Sequence, residues 1–182
     1  MANTTFQGNV RAEGGLEQAT KNATTGAYTT NFDVDTSGSM IYRNRVTDLA
    51  TATYTVAATE SGTVFSLNKA DGVVVTLPAA ASGLNYTFIV GTTATSNKYG
   101  IDCAGSDLYS GFATLFDPAT ATDTNTFISG NTSCIDLGSA EQGWLVGGIV
   151  RLVAVLVGST TVYKWHCEAH LHGDGTLATP FE

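Results

Sequence analysis

Residues 149–157 read IVRLVAVLV, residues 158–161 read GSTT, and residues 162–171 read VYKWHCEAHL. The first segment is rich in β-branched and aliphatic side chains, the middle is a turn composition, and the third alternates. Successive side chains of a strand point to opposite faces. Tyr163, Trp165, Cys167, Ala169 and Leu171 then share one apolar face, and Lys164, His166, Glu168, His170 and His172 share a polar one. An apolar stripe opposite a polar one is the pattern of a strand with one face on a core and the other solvated. The two segments are therefore expected to form the last strand pair of a β domain. The longer apolar run, Trp144–Gly158, is too short to span a membrane and carries Arg151 in its middle.

All three histidines of the chain fall within WHCEAHLH, residues 165–172. A His-x-Glu-x-His face can offer zinc ligands, because same-face neighbours can converge on one ion. Four donors strung along a straight strand are too far apart to bind one ion together. A metal site would need two of them and further donors from another strand or subunit. The expectation is a plain polar face with no metal bound.

Working outward, TATYTVAAT alternates, and TVFSLNKADGVVVTLP reads as two short strands around Lys69–Gly72, where Asp-Gly is a hairpin signal. Leu84–Val90, Tyr99–Cys103, Thr126–Ser129 and Cys134–Leu137 read as further strands. Pro78–Ser82 and Ala119–Asp123 are the two places where one turn of helix is expected. Abundant Thr and 20 glycines agree with pleated surfaces and frequent turns. The expected fold is all-β, an antiparallel β-sandwich or barrel-like domain over residues 49–182. Residues 1–48 differ, because short apolar islands separated by turn residues cannot build a core alone. They are expected to form an extended N-terminal arm that orders against a partner.

The chain has 8 basic and 16 acidic residues, for a net charge of −8. No basic patch of the kind that binds a phosphate backbone is present, so no nucleic-acid partner is expected. The start of the chain is polar and lacks an apolar leader core, and no membrane partner is expected. Three widely spaced cysteines with no CxxC pair read as reduced core thiols, as in a chain folded in a cytoplasm.

Catalytic arrangements are scarce. No Gly-x-Ser-x-Gly elbow occurs, and no glycine loop opens a helix to cradle phosphate. Asp107, Asp117 and Asp123 lie in Gly- or Thr-rich loops where acids are ordinary turn formers. Asp33–Gly38 opens like a calcium loop, but Asn44 stands at the twelfth position where a bidentate acid is needed. The chain is expected to be no enzyme and to need no cofactor.

Three stretches carry a family resemblance: NTTFQGNVRAEGGL (3–16), VVVTLPAAASGLNYTFIVGTTATSNKYGID (73–102) and GDGTLATPFE (173–182). They resemble virion structural proteins of tailed bacteriophages, most closely the head decoration, or cement, proteins of marine and cyanobacterial phages. Trp165 followed by Gly173-Asp-Gly175 fits the family's strand tryptophan and glycine turn, and the histidine-rich segment between them departs from it. The resemblance implies a β-rich homotrimer, assembled in the host cytoplasm, that binds the major capsid protein on the outer surface of the virion. It implies that the arm lies across lattice seams, with Phe6, Val10, Leu16, Tyr28 and Phe32 as capsid-contact candidates. A tail-fibre or receptor- and glycan-binding module of the same virion is the alternative, and would need an exposed aromatic platform.

Overall fold

The computed structural model describes residues 16–26, 28–34, 40–42, 44–120, 123–157 and 162–182. The chain divides into two units, residues 1–44 and 45–182. Regular structure among the described residues is fourteen strands and two single-turn 3₁₀ helices, Ala58–Glu60 and Ala140–Gln142. The fold is all-β.

The first unit contains β1 (Leu16–Lys21), β2 (Tyr28–Val34) and β3 (Met40–Tyr42), an antiparallel sheet in the order β1-β2-β3. The turn after β1 is set locally. The Asn22 side-chain oxygen accepts from Thr24 N at 2.8 Å and Thr25 N at 3.0 Å, and Gly26 N donates to Asn22 O at 2.9 Å. Side-chain capture of nearby amides favours a reversal over extension. The stretch read as an extended arm thus pairs part of its backbone with itself. The division between units falls after Asn44, because the next strand belongs to the larger sheet.

The second unit begins with six strands: β4 (Val46–Leu49), β5 (Thr53–Thr55), β6 (Val64–Leu67), β7 (Val73–Thr76), β8 (Asn85–Val90) and β9 (Tyr99–Asp102). They alternate between two sheets: β4, β6 and β8 lie side by side in one, and β5, β7 and β9 in the other. Every one of these neighbours is parallel. The chain therefore makes three turns of a coil, and equivalent residues stack from turn to turn. Leu49, Leu67 and Val90 form one buried ladder, Phe65 and Phe88 a second, and Val75 and Ile101 a third.

This corrects the expectation of antiparallel pairing. Asp71-Gly72 is a turn, but not the tip of a hairpin: the strands on either side, β6 and β7, enter different sheets. Gly72 has φ +85°, and a Cβ there would lie 2.3 Å from the Lys98 carbonyl oxygen of the next turn of the coil. The turn chemistry was legible; the destination of the strands depends on partners far along the chain. Pro78–Ser82 forms no helix, and part of Ala119–Asp123 lies outside the described residues.

After β9 the pairing changes. β10 (Tyr109–Phe116), β11 (Thr124–Ile128), β13 (Leu145–Leu156) and β14 (Tyr163–His172) complete a seven-stranded sheet in the order β11-β10-β14-β13-β8-β6-β4. β13 is antiparallel to both β8 and β14, whereas β10 runs parallel to β14. β12 (Cys134–Leu137) joins β9 antiparallel, closing a four-stranded sheet β12-β9-β7-β5. Both sheets are open and mixed, and their inward faces share one core. Trp165, Tyr86, Tyr99, Tyr109, Phe65 and Phe88 are its largest fully buried side chains. Two of the core phenols meet carbonyls as buried hydroxyls require: Tyr109 donates to Ile101 O at 2.8 Å, and Tyr86 to Ala57 O at 3.2 Å.

The C-terminal segment is part of the domain. Ala178 N donates to Glu141 O at 2.9 Å, Gln142 Nε2 to Thr179 O at 3.2 Å, and Asp136 N to Pro180 O. Glu182 exchanges backbone hydrogen bonds with Cys134, and Leu177 and Phe181 are buried. The last residues thus satisfy the outer edge of β12, which would otherwise present unpaired amides.

Candidate interaction surface

The alternation read in β14 holds in three dimensions. Trp165, Cys167, Ala169 and Leu171 are all fully buried, while His166 and His172 are exposed and Glu168 and His170 half-buried on the other side. Because β14 is a central strand, that polar side is the middle of the seven-stranded sheet's outer face. Register then fixes the neighbours. Glu168 lies between Phe112 of β10 and Arg151 of β13, and His170 lies between Thr114 and Ile149.

Followed outward, the same two rows mix apolar and polar side chains. One runs from Arg151 through Thr87 and Val64 to Val46, and from Glu168 through Phe112 to Ile128. The other passes from Ile149 to Ile89, Ser66 and Asp48. Val46 is 69% exposed, Ile128 79%, Val153 39%, Phe116 39% and Ile89 36%. A shallow groove of about 540 Å³ lies over β10 and β11, lined by Gly111, Phe112, Thr114, Thr126 and Ile128. Single exposed apolar residues are normal on a surface; here Val46, Ile89, Phe116, Ile128 and Val153 share one sheet face, interleaved with polar side chains, which makes that face the candidate contact surface.

The histidines are positioned by this face. The His170 ring stacks on Phe116 at 6.3 Å with 24° between planes and meets Phe112 edge-on at 6.5 Å. Its Nε2 lies 3.3 Å from Glu168 Oε1, and His172 Nδ1 lies 3.1 Å from the Val146 carbonyl. Among the described residues, no group of three or more His, Cys, Asp or Glu side chains is placed to hold a metal ion.

The remaining candidates have structural partners. Asp107 accepts from Ala80 N at 2.7 Å, and Asp117 accepts from Ala119 N at 2.7 Å. Glu60 is buried, accepts from the Tyr54 hydroxyl at 2.8 Å and Ala57 N at 3.0 Å, and pairs with Arg45 at 3.3 Å. Asp136 is buried and paired with Lys98. Burial pushes the Cys103 and Cys167 thiols up to about 12, and raises that of Cys134 as well. Such thiols stay protonated at neutral pH and are poor nucleophiles.

Of the five capsid-contact candidates, Phe6 and Val10 lie outside the described residues. Leu16 pairs with Val34, Tyr28 with Lys21, and Phe32 with both Gln18 and Tyr42. The three are spread along one small sheet. Sequence reasoning did not find β10, whereas Thr126–Ser129, read as a strand, overlaps β11. Gly111 interrupts the alternation of Tyr109, Ala113 and Leu115, the signal that would have exposed β10 as a strand.

No protein-family model, no curated protein and no solved structure matches this chain.

Proposed function

We propose that this chain is a non-enzymatic structural protein of a tailed-phage virion, which decorates the outer surface of the capsid and stabilises it by binding the major capsid protein lattice. In this reading the larger unit is an open sandwich, the copies form trimers, and the arm, which ends at residue 44 because β4 belongs to the larger unit, supplies the lattice contacts. The observation that carries the proposal is the outer face of the seven-stranded sheet, where Val46, Ile89, Phe116, Ile128 and Val153 are exposed among polar side chains, as on a protein that works by contact with neighbouring subunits. The resembling stretches add support. Residues 73–102 supply β7, β8 and β9 of the coil, and residues 173–182 supply the segment that closes the edge of β12. Repeated weak contacts on a lattice gain strength through multivalency. The tail-fibre alternative has less support, since Trp165 is fully buried and Trp144 packs against the core.

The test is binding to capsids stripped of decoration. The full chain is expected to bind to saturation and to raise the temperature at which capsids release DNA. A chain lacking residues 1–44, which leaves β4 in place, is expected to bind far more weakly. Failure of the full chain to bind at any concentration would overturn the proposal.

A further inference from the structure

We infer that the outer face of the seven-stranded sheet is where copies of this chain pack against one another, with Arg151 of one copy meeting Glu168 of the next. The inference rests on and deepens the decoration reading by giving one surface to self-association and leaving residues 1–44 for the lattice.

Charge selects the occupant. The chain carries −8 overall, so two copies repel over most of their surfaces. The outer face is different: Asp48 and Glu168 are balanced there by Arg151 and Lys164, two acids against two bases. An acidic chain approaches its own copy with least repulsion through this neutral face. The central pair is also self-complementary. Arg151 and Glu168 are register partners on β13 and β14, yet Glu168 turns to His170, and among the described residues Arg151 has no ion pair. A guanidinium without a carboxylate, beside a carboxylate on the same face, is satisfied when a symmetry-related copy presents that face. Phe112 is the register partner of Glu168, Val153 follows Arg151 on the same face of β13, and Ile89 lies one step along the sheet opposite Ile149, supplying apolar area beside the pair.

The experiment is sedimentation velocity on the full-length chain at neutral pH and micromolar concentration, with circular dichroism to check folding. The wild-type chain is expected to sediment as an oligomer. Arg151→Glu places like charges together and is expected to weaken association at least about tenfold. Combining Arg151→Glu with Glu168→Arg is expected to restore it. Val153→Lys, at an exposed position that tolerates charge, is expected to weaken association to a similar degree and stands in if Arg151→Glu does not fold. A monomeric wild-type chain would overturn the inference, as would unchanged association in Val153→Lys or in a folded Arg151→Glu chain. A monomer that still binds stripped capsids would overturn this inference and the trimer, while leaving capsid binding, the core of the decoration reading, intact.

Discussion

Phe65 and Phe88 occupy equivalent positions on neighbouring parallel strands, and their rings stack at 5.2 Å with 18° between planes. Both are fully buried, and the Tyr54 and Tyr86 rings are tilted against Phe65 at 5.7 and 6.2 Å. The pair joins the second and third turns of the coil. Phe88→Ala is expected to destabilise the larger unit by about 3–5 kcal/mol, from lost burial and the cavity left behind. Chemical denaturation measures it. A loss below about 1 kcal/mol would mean that the ladder does not organise the core.

Glu60 ties the first turn of the coil to the 3₁₀ helix that follows it. Its hydrogen bond to the Tyr54 hydroxyl is the main reason that the phenol titrates above its ordinary range. Glu60→Gln is expected to bring Tyr54 back toward that range and to cost about 1–2 kcal/mol of stability. Ultraviolet titration of the phenols, wild type against variant, detects the first effect, and denaturant melts the second.

Alkaline pH is expected to unfold the larger unit progressively. The Cys103 and Cys167 thiols are raised from 9.0 to about 12 by burial, and Tyr109 stands well above 10.0 for the same reason. For an acid whose folded value is raised, the folded state holds its proton longer than the unfolded chain does. Stability is therefore fully present below the unfolded values and falls as pH rises from about 9 toward 12. A thermal midpoint that stays flat from pH 8.5 to 11 would contradict the burial of these groups. Below pH 8.5 these groups contribute no slope.

Gly111 sits where β10 passes β14, with φ +145° and no room for a side chain. A Cβ there would lie 2.0 Å from the Cys167 carbonyl oxygen. Gly111→Ala is expected to cost about 2 kcal/mol or more, because both the backbone angle and the strand contact must give. The same substitution at Gly130, where a Cβ meets nothing within 4 Å, is expected to change stability by less than about 0.5 kcal/mol. Comparing the two thermal melts separates crowding from a general glycine effect.

Sequence reading succeeded wherever one strand's own alternation carried the information. In β14, Trp165, Cys167, Ala169 and Leu171 could be assigned to the core from the period alone, and β12 was read with its observed limits, Cys134–Leu137. It failed where the answer lay in pairing. Val64–Leu67 and Val73–Thr76 look like the arms of a hairpin, because a glycine turn joins them and each alternates. Nothing local states that β6 pairs with β4 and β8 while β7 pairs with β5 and β9. Arg151 likewise reads as a charge interrupting an apolar run; only register places it beside Glu168 at the centre of a sheet.

The amino-acid sequence by itself determined that this protein is built of strands, which side chains of the last strand face the core, and where the chain must turn, because those properties depend on period-two patterning and on residues that tolerate tight turns. The tertiary structure alone decided that the early strands coil in parallel between two sheets. It also decided that the histidine face of β14 lies amid mixed rows, with apolar side chains contributed by strands as distant as β4 and β11. Backbone hydrogen bonds are chemically alike at every residue, so a strand's partner is selected by how whole buried faces fit together, and that choice is written in no single segment.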